Sequence, residues 1–248
     1  MRRLVVAAVA VPAASIAVLA VEVGLAGRGD NLPERDPYQL DATAGPGPGP
    51  VLRMVWLGDS TAAGVGSSSP ATTLPRLVAA QVSTVADRPV VLTGLAVSGA
   101  RIVDVLQDQV ALVPADSDIV LMSIGSNDVT HLTSSSTFRS TYVDVLERLP
   151  AGVDVVLLGV PDFGAPPRLA QPLRAVTAIR GRTIDGVVAA IARERDVGYV
   201  DIAGRTGPTF RREPDRMFAD DGYHPSDAGY RLWADAVAPV VEDVLARR

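Results

Sequence analysis

Five short runs rich in Val, Ile and Leu recur from residue 51 onward, and longer segments of helical spacing separate them. The runs are VLRMVWL (51–57), PVVLTGLAV (89–97), DIVLMSI (118–124), VDVVLLGV (153–160) and GYVDI (198–202). Apolar residues dominate each run with little polar alternation, which suits strands covered on both faces of a parallel sheet. The segments between them repeat apolar residues at steps of three and four. In TLPRLVAAQVSTVA these are Leu74, Leu77, Val78, Val82 and Val85, and RIVDVLQDQVALV, STYVDVLERL and RGRTIDGVVAAIARERD behave alike. A last helix is predicted after Pro225, with Leu232, Trp233, Ala236, Val237, Val240, Val241, Val244 and Leu245 as its buried stripe. Pro239 within it lacks an amide donor and crowds the carbonyl of Asp235, which predicts a kink. Strand–helix alternation through five strands predicts a doubly wound three-layer α/β/α sandwich on a five-stranded parallel sheet.

The chain before Val51 follows other rules. Arg2 and Arg3 precede LVVAAVAVPAASIAVLAV, an uncharged run from Leu4 to Val21. A spanning helix needs about 17–25 apolar residues, whereas the apolar core of a signal peptide is about 7–15 long. The run fits an anchor better, although Val18-Leu19-Ala20 also reads as a cleavage site. Residues 1–26 are therefore expected to be a membrane anchor or signal segment, with the arginines on the cytoplasmic side. The remainder is expected outside, held at the outer face of the cytoplasmic membrane or secreted after cleavage. Residues 27–50 are polar, end in alternating Gly and Pro, and read as a linker. That leaves 51–248 as the folded domain.

Composition narrows the functions available. With 48% apolar and 21% charged residues among 248, the chain is globular in character. A net charge of −5 offers no general basic character for nucleic acid. The absence of cysteine removes disulfides, thiolate metal sites and cysteine nucleophiles together.

Ligands in open α/β sheets bind outside the carboxyl ends of the strands, so the residues after each run matter most. Gly58-Asp59-Ser60-Thr61 follows the first, Ser98-Gly99-Ala100 the second and Gly125-Ser126-Asn127-Asp128 the third. Asp221-Gly222-Tyr223-His224 follows the fifth across a longer loop. Together they supply what acyl transfer needs. A serine hydroxyl requires an adjacent base, and histidine has the pKa for that task. An acid on the far ring nitrogen fixes the tautomer, and donors must face the oxyanion. The N–H groups of Ser60 and Gly99 and the side chain of Asn127 are the candidate donors.

On these residues the chain from Val51 onward resembles the SGNH hydrolases, or GDSL esterase/lipase superfamily. Gly-Asp-Ser at 58–60, Val-Ser-Gly-Ala at 97–100, Gly-Ser-Asn-Asp at 125–128 and Asp-Gly-Tyr-His-Pro at 221–225 stand in the family order. VPDFGAPPRL after the fourth run also resembles a family loop. The resemblance implies a flavodoxin-like sandwich and a serine esterase without metal or cofactor. Ser60, Asp221 and His224 would be its triad, and Ser60, Gly99 and Asn127 its oxyanion hole. It selects Asp221 over Asp220 by the three-residue step to the histidine. Thr61 departs from the family pattern, which has leucine there.

Plainer roles exist for most of these residues. Asn127 is a possible helix cap, Gly99 a plain turn, Asp59 and Asp128 makers of turn or capping bonds, and His131 a solvated side chain beside the site. Two other functions use the same residues differently: a metal-dependent phosphoesterase, which needs more ligands than two histidines provide, and a flavodoxin-like binding module cradling phosphate on GDSTAAGVGSSS. An alcohol acceptor in place of water would make the esterase an acyltransferase. The substrate, an ester of a lipid or a glycan, is expected to be set by HLTSSSTF (131–138) and PDFGAPPRLAQPLR (161–174).

Overall fold

The computed structural model describes Leu32 and residues 37–247. The expected anchor or signal segment, 1–26, lies outside them, as does part of the expected linker. Among the described residues six strands form one sheet: β1 (Ala42–Ala44), β2 (Leu52–Gly58), β3 (Val90–Gly94), β4 (Ile119–Ser123), β5 (Asp154–Leu158) and β6 (Gly198–Val200). Their order is β1-β3-β2-β4-β5-β6. The five strands from β2 to β6 pair in parallel, one for each apolar run. Taken alone they have the flavodoxin-like order 2-1-3-4-5, whose direction of winding switches between β2 and β4.

The sixth strand comes from the segment whose composition reads as linker. β1 pairs antiparallel with β3, Ala42 opposite Leu92 and Ala44 opposite Val90. Nothing in ATA announces a strand; tertiary contacts place it. Leu40 is buried against Gly94, and Arg76 donates to the carbonyls of Gln39, Leu40 and Asp41. The folded unit therefore begins before Val51.

Eight α-helices accompany the sheet among the described residues: α1 (Leu74–Ala86), α2 (Ile102–Asp104), α3 (Ser126–Thr130), α4 (Ser135–Arg148), α5 (Leu173–Arg195), α6 (Ile202–Arg212), α7 (Pro214–Met217) and α8 (Asp227–Leu245). Each face of the sheet carries its own core. Met54 and Trp56 of β2 pack with Val78 and Val82 of α1 and Trp233 and Val237 of α8. Val55 and Leu57, pointing the other way, pack with Phe138 and Tyr142 of α4 and Ile184 and Val188 of α5. Successive residues of one strand thus serve opposite layers, which is why the runs are apolar without alternation.

Several details depart from the sequence pattern. Val85 is 66% exposed although it keeps the spacing of the α1 stripe. α8 continues through Pro239 as one element, so the missing hydrogen bond does not end the helix. The long loop expected after the last strand contains α6 and α7. RIVDVLQDQVALV is not one helix: α2 passes into a π-helical turn, Val105–Gln109, and then a 3-10 turn, Val110–Leu112.

Candidate active site

β2 ends at Gly58, where φ is +148° and an added Cβ would stand 2.1 Å from the carbonyl oxygen of Ser123. Only glycine permits β2 and β4 to approach this closely. The next two residues turn away from the sheet and present Ser60. Asp59 holds the turn: its Oδ1 accepts from the N–H of Thr61 at 3.0 Å and from its hydroxyl at 2.9 Å. The Thr61 hydroxyl also pairs with the Ser123 hydroxyl at 2.9 Å. A polar side chain where the family has leucine is therefore fully engaged.

His224 reaches Ser60 from the far end of the chain. Its Nε2 is 3.0 Å from Ser60 Oγ, and its Nδ1 is 2.6 Å from Asp221 Oδ2. The three-residue spacing has a local cause. Asp221 Oδ1 accepts from the N–H groups of Tyr223 and His224, both at 3.0 Å, closing a side-chain turn that leaves Oδ2 facing the ring. Asp220 is exposed and takes no part in this turn. The turn is locked from outside: Ala219 N–H donates to the His224 carbonyl, and Ser226 caps α8 by accepting from Gly229 N–H. α8 starts at Asp227, and Pro225 instead forms a bridge with Phe218. Asp227 accepts from Ser68 N–H at 2.8 Å and Tyr230 donates to the Val65 carbonyl at 2.6 Å, clamping the start of α8 onto the loop after Ser60. Gly66 makes this contact possible, since a Cβ there would lie 2.3 Å from the Pro225 carbonyl oxygen. Tyr223 sets its ring edge-on to the imidazole, with centroids 5.2 Å apart.

Asn127 and Gly99 meet on the same rim. Asn127 Nδ2 donates to the Ala100 carbonyl at 2.9 Å, which uses one of its two amide hydrogens. Gly99 is exposed with φ +86°, and an added Cβ would meet nothing within 4 Å. Its glycine requirement is one of backbone conformation, not of space. Asp128 Oδ2 accepts from Ile102 N–H at 3.0 Å across 26 residues, while the start of its own helix, α3, has Gly125 as its cap. His131 is exposed and bonds the Asn127 carbonyl at 2.9 Å, with no bond to Ser60.

The carboxylates of the site are in contrasting settings. Burial opposes ionisation of Asp221, yet the His224 ring and two N–H donors outweigh it and hold the carboxyl below its usual range. Asp59 is the reverse case. Its burial outweighs the bonds from Thr61 and the nearby His224, and its pKa is pushed up to about 6. Its Oδ2 has no hydrogen-bond partner among the described residues. Among the described residues no group of three or more His, Asp or Glu is arranged to hold a metal ion.

An apolar groove of about 590 Å³ opens beside His224. Val129, Leu132, Leu169, Leu173 and Val176 line it, so both segments expected to shape the substrate site contribute. A second hollow, about 40 Å³, is lined by Ser60 and His224 together with Phe163, Phe210 and Trp233.

The residue that sequence reasoning missed is Gln109. It is buried, and its amide bonds both polar backbone atoms of Gly58.

A hydroxyl, an imidazole and a carboxylate thus stand bonded in series at the switch point of a doubly wound sheet, and the relatives of this chain are ester hydrolases. The chain belongs to the GDSL-like lipase/acylhydrolase family, whose model matches residues 56–232. It is 29% identical over 225 residues to the GDSL-like esterase Rv1075c of Mycobacterium tuberculosis, covering 86% of this chain and 72% of that protein. Its fold is similar to that of the lipase Lip_vut3 from a goat rumen metagenome, with TM-score 0.64 at 17% identity over 76% of this chain and 97% of the other. A lipase/acylhydrolase from Enterococcus faecalis gives TM-score 0.61 at 18% identity, over 77% and 96%.

Proposed function

We propose that the chain hydrolyses carboxylic esters through an acyl-enzyme on Ser60. The observation that carries this reading is the series Asp221–His224–Ser60, with contacts of 2.6 and 3.0 Å. Ser60 Oγ attacks the ester carbonyl as its proton passes to His224 Nε2. Asp221 holds the ring by Nδ1 and stabilises the imidazolium. The N–H groups of Ser60 and Gly99 and the second amide hydrogen of Asn127 receive the oxyanion. Collapse of the intermediate expels the alcohol oxygen, which takes the proton from His224. Water then repeats the cycle: it loses a proton to His224 and attacks the acyl carbon, and the acyl–Oγ bond breaks as Ser60 Oγ takes that proton back, which frees the acid.

The groove beside His224 supports a fatty acyl part. Its apolar walls begin at His224, and its volume falls within the range of small-ligand sites. A fatty acyl chain uses such walls, whereas an acetyl group leaves most of them empty.

Rapid acid quenching during turnover of p-nitrophenyl octanoate, followed by peptide mass analysis, tests the mechanism. The expected result is an octanoyl mass on the peptide containing Ser60, absent from Ser60→Ala. An adduct on another residue would contradict it.

A further inference from the structure

The segment after Gly99 breaks its helical period for a reason that the fold alone does not require. At the end of β2, the N–H and carbonyl of Gly58 point to the β3 side. β3 has ended at Gly94, and of its continuation only Val97 N–H still reaches the Gly58 carbonyl, at 3.1 Å. The Gly58 N–H would be orphaned in the interior. Gln109 takes it: Oε1 accepts from Gly58 N–H at 2.8 Å while Nε2 donates to the Gly58 carbonyl at 2.9 Å. One side-chain amide thus stands in for a residue of a neighbouring strand. Gln109 is 1% exposed and reaches Gly58 from the end of a π turn, in which Val110 N–H bonds the Val105 carbonyl. Such one-residue insertions re-aim side chains and cluster at functional sites.

Gly58 lies two residues before Ser60, and Gln109 closes the segment that begins at Gly99–Ala100. We propose that Gln109 is a positioning residue for catalysis. By fixing Gly58 it sets where the Ser60 hydroxyl and N–H point, and it ties that turn to the segment carrying the Gly99 N–H. Asn127 and Asp128 bind the same segment from the third loop, through Ala100 and Ile102. This assignment rests on the acyl-enzyme reading of Ser60.

Gln109→Met keeps the length and bulk of the side chain and removes both bonds. Gln109→Glu keeps an acceptor for the Gly58 N–H. Both are compared with wild type, Ser60→Ala and the remote core variant Val82→Ala for kcat, KM and melting temperature on a soluble p-nitrophenyl ester. A misplaced catalytic group costs on the order of 100-fold in rate, so kcat of Gln109→Met is expected to fall about 10- to 100-fold with KM changed less than about threefold. Gln109→Glu is expected between it and wild type. Val82→Ala is expected to melt lower with unchanged kcat, which separates lost stability from lost alignment. A folded Gln109→Met with kcat within about twofold of wild type, or a folded Gln109→Glu less active than Gln109→Met, beside an inactive Ser60→Ala, would overturn the assignment and leave the acyl-enzyme reading intact. Full turnover by Ser60→Ala would overturn both.

Discussion

Asn127 and Asp59 follow the ends of adjacent strands, and each makes its own prediction. Asn127 spends one amide hydrogen on Ala100, and in the proposed mechanism the other meets the oxyanion. A donor aimed at an oxyanion gains strength as charge develops, so its loss acts on the transition state more than on bound ester. Asn127→Ala is expected to lower kcat by about 10²–10³ with KM little changed; lowered melting with normal kcat would reduce Asn127 to a structural residue. Asp59 has a folded-state pKa of about 6 against an ordinary 3.8. The folded state therefore holds this proton more tightly than the unfolded state. Its contribution to stability is complete below about pH 4 and is lost as pH rises through 6, a loss of about 3 kcal/mol. Asp59→Asn keeps an acceptor for Thr61 and cannot ionise. The stability of the variant relative to wild type should rise between pH 4 and pH 7 in denaturant titrations, and parallel curves would refute this. The residues of these turns were legible because each follows a strand end or precedes the last helix. Gln109 was legible only as an anomaly. It falls four residues after Val105 and seven after Ile102, on the buried stripe, where an amide needs a partner. That partner is 51 residues away, and no local pattern names it.

At the scale of elements, the parallel strands were legible because burial on both faces leaves a dense apolar run. β1 was not, because an edge strand of three residues is held by contacts of Leu40 and Arg76 rather than by its own composition. α6 and α7 were hidden by modest apolar content, with Asp201 capping α6 through Gly204 N–H the clearest local signal. The break after α2 was invisible because its apolar spacing is intact in the sequence, and the bonds of Gln109 to Gly58 that accompany it span 51 residues. The groove is also an assembly of elements, built from α3, the loop before α4, and the entry to α5. Each buried CH2 contributes about 0.8 kcal/mol, roughly fourfold in kcat/KM. The wild-type value is expected to climb with acyl length from acetyl to octanoyl. Leu173→Trp, which fills the groove, should flatten that climb while sparing acetyl ester. A wild-type preference for acetyl would remove the acyl assignment.

The whole molecule is arranged to bring the two ends of the domain together. Ser60 stands near its start and His224 near its end, 164 residues apart, yet their side chains meet at 3.0 Å. The sheet places Ser60 at the switch point, and α8 lies across the same core as β2 and α1. The clamp between its first turn and residues 65–68 then delivers the histidine. If these two groups act as one unit, removing either removes the function of both, and their effects cannot add. The most direct test is a double-mutant cycle of Ser60→Ala, His224→Ala and the double variant, with kcat measured on one soluble ester and folding checked by melting temperature. Each single variant is predicted to lose nearly all turnover while folding normally, and the double variant to be no less active than either. Independent, multiplying losses would contradict the account, as would turnover in Ser60→Ala close to wild type.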